Sequence, residues 1–129
     1  SRDGLKRLPG LLASYSPRLV ILTHGGNDLL RLMDQRETEE NLRQMILLVQ
    51  RHGVSLVLVG VPAPGIMLSP PGLYKNLAEQ FNLPYEDDVL SYIYRRTSLK
   101  SDPIHPNARG YRKLAQSLAA LLRESGALQ

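Results

Sequence analysis

Two short apolar runs constrain this chain more than anything else in it. Leu19-Val20-Ile21-Leu22 lies between Pro17 and Gly25-Gly26, and Val54 to Val61 (VSLVLVGV) lies between Gly53 and Pro62-Ala63-Pro64-Gly65. Neither is long enough for a helix, and neither alternates with polar residues. Such runs read as strands covered on both faces, the habit of parallel sheets flanked by helices. Helical patterns surround them. Asp3 to Ser14 puts Leu5, Leu8, Leu11 and Leu12 on one stripe, with Pro9 expected to kink or shorten the helix. Thr38 to Gln50 points Leu42, Met45, Ile46 and Val49 inward, with Thr38 as the cap and Gly53 as the stop. Asp34 to Glu37 reads as a polar connection before it.

Further on, Gly72 to Phe81 predicts a helix and Leu83-Pro84-Tyr85 a third strand. Asp87 or Asp88 caps a segment running to about Arg96, Thr97 to Pro106 is loop, and Asn107 to Glu124 is the last helix. Its apolar side is Leu114, Leu118, Leu121 and Leu122. The alternation predicts one α/β domain over residues 1–129, a three-layer sandwich around a parallel sheet.

Composition narrows the chemistry. The absence of Cys excludes disulfides and thiolate metal sites, and no pair of histidines has ligand spacing, so no metal and no cofactor is expected. No apolar run approaches the roughly 18–20 residues that span a bilayer. The net charge of +4 invites a nucleic-acid partner. Read along the chain, however, the basic residues look scattered, without a patch interleaved with aromatics, so nucleic acid is set aside.

Two segments can carry chemistry. Asp102-Pro103-Ile104-His105-Pro106 is stiffened by its prolines. A carboxylate three residues before a His can reach its Nδ1 and fix the tautomer, leaving Nε2 as a general base. Gly25-Gly26-Asn27-Asp28 follows the first strand, where ligands of open α/β sheets sit. Asn27 can donate to a developing oxyanion, with Gly25 beside it in a tight turn. Either segment also reads as an ordinary turn. His52 suits the end of a helix, and His24 packs beside the strand. Leu29-Leu30 and Pro64 to Leu68, with Leu30, Pro64 and Ile66 foremost, would wall an apolar pocket.

Together, LVILTHGGNDLL and, some 75 residues later, DPIHPNARGYRKLA resemble the SGNH, or GDSL-type, hydrolases, in the branch of bacterial arylesterases and thioesterase/lysophospholipases. The resemblance extends to SRDGLKRLPGLLASYSP and covers essentially the whole chain. It implies a flavodoxin-like SGNH fold, Asn27 as oxyanion donor, and Asp102 and His105 as two members of a Ser-His-Asp triad. Substrates would be acyl esters, thioesters or lysophospholipids. The parent would be bacterial, with a periplasmic or secreted location among the options and no signal peptide visible here.

The family's GDS nucleophile block and its oxyanion Gly block are not found in this sequence. The resemblance therefore begins just after the Gly block, and the N-terminal strands of the fold are expected to be missing. Two other readings are compatible with the residues. One is a non-catalytic α/β binding domain using His24-Gly25-Gly26-Asn27 as an anion-binding turn. The other is a fragment complemented by a second polypeptide. An apolar strand Leu19–Leu22 with an unpaired edge would then self-associate or accept a strand carrying the Ser.

Overall fold

A computed structural model describes residues 2–25, 34–63, 69–103 and 105–126. The strand Ser55–Val59 (β2) is central to its three-stranded sheet. Leu19–Leu22 (β1) and Tyr85–Glu86 (β3) flank it, both parallel to it. Leu19 lies opposite Ser55 and Leu22 opposite Leu58; on the other side Val59 lies opposite Glu86. Leu56, Val57, Leu58 and Val59 are all buried, so both faces of β2 are covered, as the unbroken apolar run requires.

The covering helices are α1 (Arg2–Tyr15), α2 (Gln35–Arg51), α3 (Gly72–Phe81), α4 (Val89–Tyr94) and α5 (Ala108–Glu124). α2 and α3 are the crossovers of two successive parallel pairs; right-handed crossovers put both on one face, and they touch each other and β2. α1 packs on α2, while α5 packs on β3 and α4. The expected α/β architecture with a parallel sheet is present. β1 has β2 on one side and, among the described residues, no strand on the other. Ile21 there is 44% exposed.

Several local expectations are corrected. α2 begins at Asp34 and not at Thr38: the Asp34 carboxylate accepts from the Arg36 N–H at 2.9 Å. Asp caps as well as Thr and stands one turn earlier, so the polar connection becomes the helix's first turn. Thr38 is fully buried inside it. Pro9 does not shorten α1, which runs through it to Tyr15 with the ring exposed. On its stripe Leu8 and Leu12 are buried but Leu11 is 49% exposed.

α4 is capped by neither Asp87 nor Asp88 through a side chain. The Glu86 carboxylate does this, accepting from the N–H groups of Val89 (2.9 Å) and Asp88 (3.3 Å). The stretch expected to be loop holds a 3₁₀ turn, Thr97–Leu99, and a short antiparallel pair, β4 (Lys100–Asp102) and β5 (His105–Pro106).

Tyr85 on β3 is half-buried, and burial, with Asp87 and then Glu86 nearby, pushes its phenol up from 10.0 to about 12. A raised pKa means that above pH 10 the unfolded chain releases this proton first, so stability falls with pH between about 10 and 12. Denaturant unfolding across that window is expected to show the decline. Tyr85→Phe should flatten it; an unchanged slope would remove Tyr85 as its source.

Candidate active site

Asp102 closes β4 and His105 opens β5, and the two residues face each other across the antiparallel pair. His105 Nδ1 lies 2.9 Å from Asp102 Oδ2 and 3.0 Å from Oδ1. The His105 backbone N–H also donates to Oδ1, at 2.9 Å. The hydrogen bond expected between these side chains is therefore formed. Both are open to solvent, His105 59% and Asp102 49% exposed. A contact so exposed is worth roughly 0–1 kcal/mol, too little to hold the fold. What it supplies is orientation of the imidazole.

Asn107 holds the hairpin to α5, a role not visible in a reading that treated it only as the helix start. Its carbonyl oxygen accepts from the Gly110 N–H at 3.0 Å, capping the helix. Its amide donates to the Ser98 carbonyl at 2.8 Å and reaches the Lys100 carbonyl at 3.4 Å. Its backbone N–H donates to the Leu99 carbonyl at 2.8 Å. The signal in the sequence was an Asn directly before a helical pattern and directly after His105-Pro106. Gly110 completes the junction: a Cβ there would collide with the Leu99 carbonyl and lie 2.8 Å from the Pro106 ring. Only glycine lets α5 come this close.

Gly25 follows β1. It is buried at φ +111, and a Cβ there would strike the Tyr74 hydroxyl and lie 3.3 Å from the Thr38 methyl. The fully buried Tyr74 donates to the His24 carbonyl at 2.6 Å, so α3 fastens the end of β1. Substitution would be strained in conformation and in space. Asn27, Leu30, Pro64 and Ile66 lie outside the described residues. His52 bonds through its ring to the Leu48 carbonyl at 2.9 Å, as a residue ending α2. His24 packs over Gly4 of α1.

Gly25 and His105 belong to the same end of the sheet. α5 finishes at Ser125 and Gly126, which line a concavity of about 390 Å³ with Leu19, Ser55 and Leu83, where the strands begin. A helix of 17 residues spans about 25 Å, so its first turn and His105 lie at the strands' carboxyl ends. A depression of about 300 Å³ beside the hairpin is lined by Thr97, Lys100, Ser101, Asp102 and Pro103. It lies at the end where open α/β sheets bind ligands. Among the described residues no group of three His, Asp or Glu could hold a metal ion, and no helix is long and apolar enough to cross a membrane.

The α/β fold with its parallel sheet is shared by solved structures of SGNH hydrolases. The crystal structure of TesA superposes with a TM-score of 0.76 at 28% identity, over 95% of this chain and 72% of that one. AlinE4, an SGNH-hydrolase family esterase, gives a TM-score of 0.67 at 30% identity, over 98% and 70%. The model of the GDSL-like Lipase/Acylhydrolase family matches residues 1–113, and the chain belongs to that family. Thioesterase 1/protease 1/lysophospholipase L1 of Escherichia coli (strain K12) is 30% identical over a match that covers 95% of this chain and 62% of that protein. The chain thus spans less than two thirds of the length of this relative.

Asn107→Ala removes the cap and both amide donors together. It is expected to cost about 1–2 kcal/mol in denaturant unfolding. Asn107→Asp keeps the acceptor and should recover part of that loss. Equal stability of all three would show that the junction does not depend on this side chain.

Proposed function

We propose that this chain carries the proton-transfer residues of a serine ester hydrolase acting on acyl esters, thioesters or lysophospholipids. The observation that carries the reading is the placement of both Asp102 oxygens within 3.0 Å of His105 Nδ1. With Nδ1–H donating to the carboxylate, Nε2 is left to take a proton from a serine hydroxyl as it attacks the acyl carbonyl. His105 then returns that proton to the leaving group, and Asp102 stabilises the imidazolium between the two transfers. Asn27 and Gly25 bind the oxyanion, and Leu30, Pro64 and Ile66 wall the acyl chain. The scheme needs no cofactor.

The nucleophile is assigned to a segment outside this sequence, because no serine here stands in a GDS block. A strand from that segment would pair with Leu19–Leu22, on the side of β1 that lacks a neighbour among the described residues. A second copy of the chain would occupy the same edge. Analytical ultracentrifugation of the chain is expected to show dimers or larger species. A folded monomer at micromolar concentration would count against the edge as a pairing site.

The chain by itself is expected to turn over p-nitrophenyl acetate little or not at all. Rapid turnover abolished by a serine-directed organophosphate would place the nucleophile among the serines present here. The Asp–His pairing has its own readout, independent of turnover. Long-range ¹H–¹⁵N spectra above the imidazole's titration range should show His105 as the Nδ1–H tautomer, and Asp102→Ala should shift it toward Nε2–H. An identical tautomer in both proteins would mean that Asp102 does not orient the ring.

A further inference from the structure

The charge of this chain is not spread over its surface. Residues 92–113, from α4 through the Asp102–His105 hairpin into the second turn of α5, hold six basic residues and one acidic residue. The rest of the chain holds ten basic and eleven acidic residues. The local surplus of five exceeds the net +4 of the whole molecule. Three of the six tyrosines fall in the same stretch.

The fold turns that stretch into a surface, which corrects the impression of scattered charge. Arg96 stacks over the Tyr92 ring, 3.4 Å from its centroid, and Lys113 Nζ approaches the same ring at 5.1 Å, tying α4 to α5. Arg95, Arg96, Arg109 and Arg112 are exposed, and Tyr111 is 53% exposed. Acidic compensation is slight: Asp88 reaches Arg95 at 3.4 Å, and Asp102 is engaged with His105. On α5, Arg109, Arg112 and Lys113 fall on the side away from Leu118 and Leu122, which are buried.

We propose that this face, formed by the end of α4 and the first two turns of α5, docks the protein on an anionic lipid surface and presents the His105 hairpin to it. Basic side chains within a Debye length of such a surface are each attracted to it, and tyrosines belong at the boundary between apolar and wet. A single-stranded nucleic acid fits less well. It needs free ring faces for stacking, and Arg96 already covers one face of Tyr92. The preference for lipid over another polyanion rests on the ester-hydrolase reading, but the measurement does not involve hydrolysis, so the two can fail separately.

The experiment is co-sedimentation of the chain with vesicles of phosphatidylcholine, with and without one part in three of phosphatidylglycerol. Binding is expected only to the anionic vesicles, and raised salt should release it. Each neutralised residue should weaken it about fivefold, so Arg96→Gln/Arg112→Gln/Lys113→Gln should lose about a hundredfold. Arg96→Lys/Arg112→Lys/Lys113→Arg keeps the charge and should bind as the parent does. Lys6→Gln/Arg7→Gln/Arg18→Gln removes as many charges elsewhere and should change binding by less than about twofold. Arg112→Gln alone, at an exposed position, gives the about fivefold loss should the triple variant misfold. Three results would overturn the proposal: no preference for anionic vesicles, equal loss in the two neutralised triples, or tighter binding to a single-stranded oligonucleotide than to the vesicles.

Discussion

Between Leu56 and Val59 the chain is enclosed in every direction, and the placement of the candidate site follows from that enclosure. Strands pair on both sides of β2, with Leu58 N–H donating to the Pro84 carbonyl at 3.0 Å and Gly60 N–H to the Glu86 carbonyl at 2.8 Å. Its side chains are buried above and below. Each such Leu or Val contributes about 1.5–3 kcal/mol relative to exposure, so this one strand outweighs every surface ion pair in the molecule. A strand with both edges paired and both faces buried needs a helix layer on each side and parallel neighbours reached by crossovers. Parallel strands in turn bring their carboxyl ends to one edge. Tyr74 then fastens the end of β1 by donating to the His24 carbonyl.

The elements that were legible in the sequence are those in which one physical preference faced no competitor. The two apolar runs became β1 and β2 because short aliphatic stretches flanked by Gly and Pro fit a covered sheet; the covering is complete over residues 56–59 and partial on β1, where Leu22 is buried and Ile21 exposed. The mistakes lie where several residues could do the same job. Asp34 and Thr38 are both good caps, and only packing settles the matter: Thr38 is needed inside, against Gly25. Glu86, Asp87 and Asp88 are three carboxylates in a row, and the strand that ends at Glu86 decides which of them reaches the α4 N–H groups. The β4–β5 pair has no apolar pattern, since its residues are exposed or half-exposed, and it is held instead by Asn107 and by Ser101.

The Asp102–His105 pair was legible for a different reason. Pro103 between the two residues and Pro106 after His105 restrict the backbone, so a spacing of three residues leaves few arrangements, and one of these brings carboxylate and imidazole together. Rigidity in sequence thus stood in for burial in space. The restriction would count for little if the hairpin moved as a unit. Asn107 prevents that by bonding to Ser98, Lys100 and Gly110 at once, and Gly110 leaves room for the contact. An exposed carboxylate–imidazole hydrogen bond keeps its geometry because the backbone beneath it is already fixed. The neutral hydrogen bonds of the junction thus hold the hairpin backbone, and on that fixed backbone the Asp102 carboxylate orients the His105 ring.

Charge was the property most misread along the chain, because a net value hides where the charges are. Electrostatic attraction in physiological salt decays over about 8 Å, so a partner senses one face and not the total. A uniform +4 over 129 residues would give any such face little more than a single charge. A surplus of five within residues 92–113 is a different object, since the hairpin folds these residues back on themselves and Tyr92 gathers Arg96 and Lys113 about one ring. That surface encloses the Asp102–His105 hairpin in the chain and adjoins it in space. The docking proposed for this face would bring an anionic surface to the hairpin that holds His105, so that the proton transfer proposed at Nε2 and the electrostatic attraction would act at one place.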